Sequence, residues 1–287
     1  MIVKKGVSGV IKIGPDLYKN VKIDNMKFCD ELGRGGFGKV SKGVLGKNVL
    51  AVKKIEFERQ KEDFDMEKKA FICMELMATC LEKLYKNHLK PQKTTFPECI
   101  LAKITISVVN GLRYLYDEHK IIHRDLKPNN VLVGHDGKFK LSDFGIAGKV
   151  IKSRSNSPKP QRCQIYCSPL NSIHAECDAR SDIWSLGITL AELALQKHPY
   201  KTEYNNSCTF SSTMGILCQM SVGPPPPLPE MYSSEFHEFV YKCLEKDFFL
   251  RPEYRELSKS LWFQNYVVYD ADLALWLHNV LEHSQQL

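Results

Sequence analysis

Within eight consecutive residues, His123-Arg124-Asp125-Leu126-Lys127-Pro128-Asn129-Asn130, a carboxylate, an ammonium and an amide lie close together. That set suits phosphoryl transfer. Asp125 accepts the proton of an attacking hydroxyl, Lys127 neutralises the terminal phosphate, and Asn130 holds a magnesium ion. Asp143-Phe144-Gly145 follows, with a carboxylate to chelate the magnesium that bridges the phosphates and a phenylalanine that packs inward. Upstream, Gly33-Arg34-Gly35-Gly36-Phe37-Gly38 has the spacing that brings backbone N–H groups near phosphates. Fifteen residues after Gly38, Ala51-Val52-Lys53 reads as a strand whose lysine meets the α- and β-phosphates of ATP. The reaction asks little covalent chemistry of the protein, so positioning and positive charge around a triphosphate are what these groups must supply.

The elements around these groups decide between competing readings. From residue 10 to about 55 the pattern is strand-like: Val10, Ile11 and Ile13, then Val21 and Ile23, the glycines, and then residues 49–55. A dinucleotide-binding loop would open a helix, whereas Lys39-Val40-Ser41 continues as strand. A P-loop needs a hydroxyl where Val40 stands. Strand-like Val131-Leu132-Val133 and residues 138–141 separate Asn130 from Asp143. Helical periods dominate later, over 98–119 (Leu101, Ile104, Val108, Leu112, Leu115), 181–195 and 234–244. A β-rich front and a helical back predict a two-lobed α+β protein.

Composition narrows the class further. The 287 residues are 43% hydrophobic and 25% charged, enough to bury a sizeable core and unlike a disordered chain. A net charge of +7 suits an acidic partner such as a nucleotide without calling for nucleic acid. Ten scattered cysteines, with Cys163 and Cys167 the closest pair, read as reduced thiols and supply no second half for a zinc site. The most apolar run, residues 183–195, contains Glu192 and is too short to span a bilayer, so no membrane association is expected. Pro224 to Pro227 reads as a stiff extended spacer.

Taken together, these motifs resemble the eukaryotic protein kinase family over roughly residues 28–263, and within it the MAP kinase kinases, closest to those acting on stress-activated MAP kinases. The resemblance implies a protein kinase fold with a β-rich small lobe (28–77), a larger helical lobe (78–263), an N-terminal extension (1–27) and a helical, docking-like tail (264–287). Ile72-Cys73-Met74-Glu75-Leu76-Met77 looks like the hinge strand, which adds Met74, Glu75 and Met77 to Val40, Ala51 and the glycines as nucleotide contacts. Leu81-Glu82-Lys83-Leu84-Tyr85 looks like the start of the next helix. Asp143-Phe144-Gly145-Ile146-Ala147-Gly148 is similar to the group's own version of that motif. Asp182, in a segment similar to the long buried helix, is expected to brace the catalytic loop. Ser153 and Ser157 have the Ser-x-x-x-Ser/Thr spacing of the activating phosphorylation sites, with Ser155 and the Ser157-Pro158 step as alternatives, and Arg124 would pair with a phosphate there. Residues 270–277 resemble a helix that docks an upstream kinase, although an amphipathic helix capping the large lobe explains them equally. Lys4-Lys5 with Ile11 and Ile13 fits a MAP kinase docking motif, but a strand is the preferred reading.

Two departures stand out. Only 18 residues separate Lys53 from Ile72, where the family has a helix, a loop, a strand and a hairpin, so the small lobe is read as shortened and much of its sheet as absent. One short helix fits residues 56–69, with Glu67 the first choice to pair with Lys53 and Glu62 and Asp63 as alternatives. Ser168-Pro169-Leu170 replaces Ala-Pro-Glu, which removes the glutamate that Arg251 would pair with. The reading is a cytoplasmic, and also nuclear, dual-specificity kinase that uses ATP and Mg2+, with a MAP kinase substrate and an upstream MAP kinase kinase kinase. The alternative is a catalytically weak pseudokinase or docking scaffold.

Overall fold

A computed structural model describes residues 2–4, 9–13, 16–35, 38–56, 69–143, 148–149, 164–168, 179–201 and 213–283. It divides into two units, Met1–Met77 and Ala78–Leu287.

The first unit is a sheet built on β-branched runs and glycines. Its strands are β1 (Ile2–Lys4), β2 (Gly9–Ile13), β3 (Asp16–Val21), β4 (Lys27–Gly35), β5 (Gly38–Leu45), β6 (Asn48–Glu56) and β7 (Lys69–Glu75). Strands β2 and β3 form a separate hairpin, so the stretch around Ile11 and Ile13 is strand. The other five make one antiparallel sheet in the order β1-β7-β6-β5-β4. The shortened sequence led us to expect a depleted sheet, but the first residues of the chain supply a fifth strand. Ile2, Val3 and Lys4 pair with Ile72, Phe71 and Ala70, which covers an edge that would otherwise present unpaired N–H and C=O groups. The boundary at residue 28 suggested by the motifs therefore does not divide the structure. Glu56 and Lys69, the ends of the helix expected over 56–69, are strand residues paired with each other, and residues 57–68 lie outside the described residues.

Side chains alternate across this sheet with period two. One face carries Leu50, Val52, Phe71 and Cys73, which pack with Val21, Ile23 and Met26 into a small core. Lys53 and its neighbours in the row lie on the other.

The second unit is mostly helical. It runs β8 (Thr79–Cys80), α1 (Leu81–Leu84), a π-helical stretch (Tyr85–Leu89), α2 (Glu98–His119), β9 (Ile121–Ile122), β10 (Val131–Val133), β11 (Phe139–Leu141) and β12 (Gly148–Lys149). Then come α3 (Ala179–Leu195), α4 (Thr213–Val222), α5 (Ser234–Cys243), α6 (Tyr254–Leu257), α7 (Leu261–Val267) and α8 (Leu273–His283). The apolar stripe of α2, from Ile100 to Leu112, faces the core, and the helix ends at Lys120 in the left-handed conformation. Helix α3 is buried on nearly every side, as a helix through the middle of a unit must be. Ser233 caps α5 by accepting a hydrogen bond from the Phe236 amide at 3.1 Å.

Glu98 joins three helices. Its carboxylate accepts hydrogen bonds from the Ser233 amide (2.7 Å) and hydroxyl (2.6 Å), and from Trp262 Nε1 (2.8 Å) in α7. Helix α8 caps the same unit: Leu277 and Val280 are buried, Trp276 lies against Phe96 with centroids 5.9 Å apart, and Gln92 donates to the Val280 carbonyl at 2.9 Å. The tail expected to begin at residue 264 starts inside α7 and packs as part of the unit. Among the described residues no helix is long and apolar enough to cross a membrane, and the seven described cysteines are free thiols.

Candidate catalytic site

After α2 the chain passes through β9 into the segment 123–130, and one buried carboxylate fixes its path. Asp182, on α3, accepts the amides of His123 and Arg124, each at 2.8 Å, and the hydroxyl of Tyr254 at 3.2 Å. Burial raises its carboxyl above the usual carboxylate range, opposed by the nearby His123 imidazole and by the hydrogen bonds it accepts. The His123 ring braces both sides of the loop: Nε2 lies 3.0 Å from the Ser142 carbonyl, and Nδ1 accepts the Asp125 amide at 3.3 Å. A single tautomer with the proton on Nε2 satisfies both bonds. Arg124 and Asp143 hold φ of +69° and +60°, a left-handed backbone that costs a non-glycine residue roughly 1–3 kcal/mol and gathers at functional sites.

The groups expected to do chemistry come together on this scaffold. The Asp125 carboxylate receives Lys127 Nζ at 2.8 and 3.0 Å and Asn130 Nδ2 at 2.8 Å. Asn130 Nδ2 also donates to the Asp125 carbonyl at 2.7 Å, which leaves the amide oxygen of Asn130 as its acceptor. The backbone carbonyl of Asn130 accepts both the amide (2.9 Å) and the hydroxyl (3.1 Å) of Ser142, so the residue before Asp143 is tied to the catalytic loop. Neither Ser142 nor Tyr254 stands out from sequence, because each acts on residues far away in the chain.

In the first unit the strand register lines up the candidate nucleotide contacts. Gly33, Val40, Lys53 and Ile72 face one another across four adjacent strands, and Lys42, Ala51 and Met74 form a parallel row two residues away. Val40, Ala51, Lys53 and Met74 therefore share a face. Glu75 lies on the opposite one, and Met77 follows β7 outside any strand. Gly35 pairs with Gly38 at the end of the hairpin. Gly38 has φ +123°, and a Cβ there would sit 2.0 Å from the Lys54 carbonyl oxygen, so only glycine fits.

Gly36, Glu67 with Glu62 and Asp63, Phe144, and Ser153, Ser155 and Ser157 lie outside the described residues. The Nε of Arg124 is buried and has no hydrogen-bond partner among the described residues. Leu170 also lies outside, but Arg251, whose ion pair it was expected to remove, is well held. Its guanidinium donates to the carbonyls of Glu245 (2.8 Å) and Arg180 (3.1 Å) and to the Ser168 hydroxyl (3.1 Å), and it lies 5.0 Å from the Trp184 ring centroid. These dipoles and the aromatic face help to hold a charge that is 1% exposed.

A magnesium ion fits the donors present. Among the described residues no three His, Cys, Asp or Glu side chains cluster as a protein-only metal site. One carboxylate (Asp143) and one amide oxygen (Asn130) are what a hard cation takes when phosphate and water complete its shell.

The family model described as "Protein kinase domain" matches residues 59–263. The human dual specificity mitogen-activated protein kinase kinase 7 is 33% identical over 313 residues, covering 97% of this chain and 72% of that protein. The mouse protein of the same name is covered over 56% of its length. The protein kinase wis1 of Schizosaccharomyces pombe is 34% identical over 88% of this chain and 46% of its own. The 313 aligned positions exceed the 287 residues of this chain, in line with a segment missing from it. The chain belongs to the protein kinase family and, within it, to the MAP kinase kinases.

Proposed function

We propose that the protein transfers the γ-phosphate of ATP to a threonine and a tyrosine of a MAP kinase activation loop. The observation that carries this is the Asp125 carboxylate, held between Lys127 Nζ and Asn130 Nδ2, each at 2.8 Å, on a loop anchored by Asp182. Asp125 orients the attacking hydroxyl and takes its proton. Lys127, already beside that carboxylate, offsets charge on the transferred phosphoryl group. Lys53 holds the α- and β-phosphates, with Gly33, Gly35, Gly38, Val40 and Ala51 on β4, β5 and β6, Gly36 next to them in sequence, and Met74, Glu75 and Met77 at the hinge. Asn130 and Asp143 hold Mg2+, which supplies positive charge to the phosphates when bound. Glu67 pairs with Lys53 in the active form. Phosphorylation of Ser153 and Ser157 by an upstream MAP kinase kinase kinase orders the loop, and the buried Nε of Arg124 supports a role for that residue in meeting the phosphate.

The test is incubation with ATP, Mg2+ and a panel of catalytically dead MAP kinases, read by mass spectrometry. Phosphate should appear on both Thr and Tyr of one panel member, and Asp125→Asn should reduce the rate by about 10²-fold or more. No incorporation, even with Ser153→Glu and Ser157→Glu introduced together, would sink the proposal.

A further inference from the structure

Beside the catalytic loop, wholly within the second unit, lies a cavity of about 400 Å³ whose lining carries five lysines and two glutamates. Lys86 and Lys90 come from the π-helical stretch and the residue after it, a backbone irregularity of the kind often retained at functional sites. Lys197 and Lys201 follow α3, and Lys127 enters from the catalytic loop.

The charges do not cancel locally. Lys86 is paired with Glu82 at 2.5 Å and Lys127 with Asp125 at 2.8 Å. Lys90, Lys197 and Lys201 are in no ion pair among the described residues. The other acid in the lining, Glu192, is 3% exposed and accepts the hydroxyls of Tyr85 (2.6 Å) and Tyr166, so it is already engaged beneath the surface. His198 adds no positive charge at neutral pH, since burial pushes its imidazole down to about 4. Three ammonium groups around one cavity repel one another, and a bound anion relieves that repulsion.

Position identifies the anion. Lys127 belongs both to the cavity wall and to the Asp125 ion pair, so a group in the cavity neighbours the residue being phosphorylated. A kinase that modifies two residues of one segment meets, at its second turnover, a substrate already carrying a charge of about −1.5 to −2. We propose that this cavity is an anion subsite that takes the phosphate already installed on one acceptor residue while the other lies at Asp125. The proposal rests on the dual-specificity reading and predicts that the second transfer is favoured over the first.

The experiment measures binding, by fluorescence anisotropy with the full chain, of labelled MAP kinase acceptor-loop peptides that are unphosphorylated, phosphorylated on Tyr, or phosphorylated on Thr. At least one monophosphorylated peptide should bind about tenfold more tightly than the unphosphorylated one, with an advantage that shrinks as salt rises. The triple variant Lys90→Ala, Lys197→Ala, Lys201→Ala should lose that advantage, and the matching Lys→Arg triple should keep it. All three side chains are exposed, and a thermal melt checks that the variants fold. Equal affinity for all three peptides would overturn the subsite, and an advantage that survives the alanine triple would remove it from this cavity. Transfer from ATP to the unphosphorylated peptide, followed in parallel, tests the catalytic reading separately. Its absence would sink that reading and leave the binding comparison to judge the subsite.

Discussion

Asp182 accepts hydrogen bonds from two amides and a phenol in a site 1% exposed, so any replacement must leave a buried donor without an acceptor. Asp182→Asn retains one oxygen but turns an NH2 toward one of those N–H groups. It should lower stability by about 2–3 kcal/mol and turnover by at least tenfold, measured by thermal unfolding and by phosphate incorporation. A different residue governs acid sensitivity. His198 donates from Nε2 to the Ile165 carbonyl at 3.1 Å, and burial lowers its folded-state pKa to about 4, below the ordinary imidazole value of about 6.5. Between those values the unfolded chain binds the proton and the folded one does not, so this contribution to stability is present above about pH 6.5 and is lost as pH falls toward 4. Burial raises Glu192, which has the opposite sign and is retained in both proteins of a wild-type and His198→Gln comparison. Wild type should lose about 3 kcal/mol more than His198→Gln between pH 6.5 and 4 in urea titrations, and parallel curves would reject the assignment. Asp125, Lys127, Asn130 and Asp143 stand out in the sequence because the chemistry proposed for them asks for fixed residue types at fixed spacing. The environment of Arg251 was not, because a missing glutamate is visible in sequence whereas two carbonyls, a hydroxyl and a tryptophan face converging from distant segments are not.

Elements were readable where their pattern is local. The apolar spacing after Pro97 predicts a helix over 98–119, which is where α2 runs, and the period-two runs around the glycines are β5 and β6. The pairing of β1 with β7 joins residues about 70 positions apart, and no periodicity in a three-residue strand announces it. The same segment explains how a chain lacking much of the family's small-lobe sequence still has a five-stranded sheet. Removing residues 1–8 should therefore expose the β7 edge. The expected result is a loss of about 2 kcal/mol, from roughly two ladder hydrogen bonds at about 1 kcal/mol each, together with self-association through the bare edge. Thermal melts and size-exclusion chromatography check the two effects. A truncated protein that melts like the full chain and stays monodisperse would show that β1 contributes nothing to the sheet.

On the scale of the whole chain, the two units have unequal cores. The first is held by a cluster of Val21, Ile23, Met26, Leu50, Val52, Phe71 and Cys73, whereas the second organises its helices around α3 and ties them together through Glu98. Stability rises with the area a unit buries, so a 77-residue sheet with so small a core should melt before its 210-residue neighbour. Unfolding should then depart from two-state behaviour, with two calorimetric transitions. Deleting residues 1–8 should lower the first by roughly 10 °C, the amount about 2 kcal/mol produces in a unit of that size, and leave the second in place. Glu98→Ala should do the reverse, because it orphans Trp262 Nε1 and the cap of α5 without touching the sheet. A ligand that binds only the folded state stabilises what it binds, so ATP with Mg2+ should raise the lower transition, and Lys53→Met should abolish that rise. One transition that moves with both the truncation and Glu98→Ala would show that the small core is not a separate unit of stability. In that case the effect of the shortened segment on activity would be transmitted through the entire fold, and would not be confined to the strands that carry Lys53.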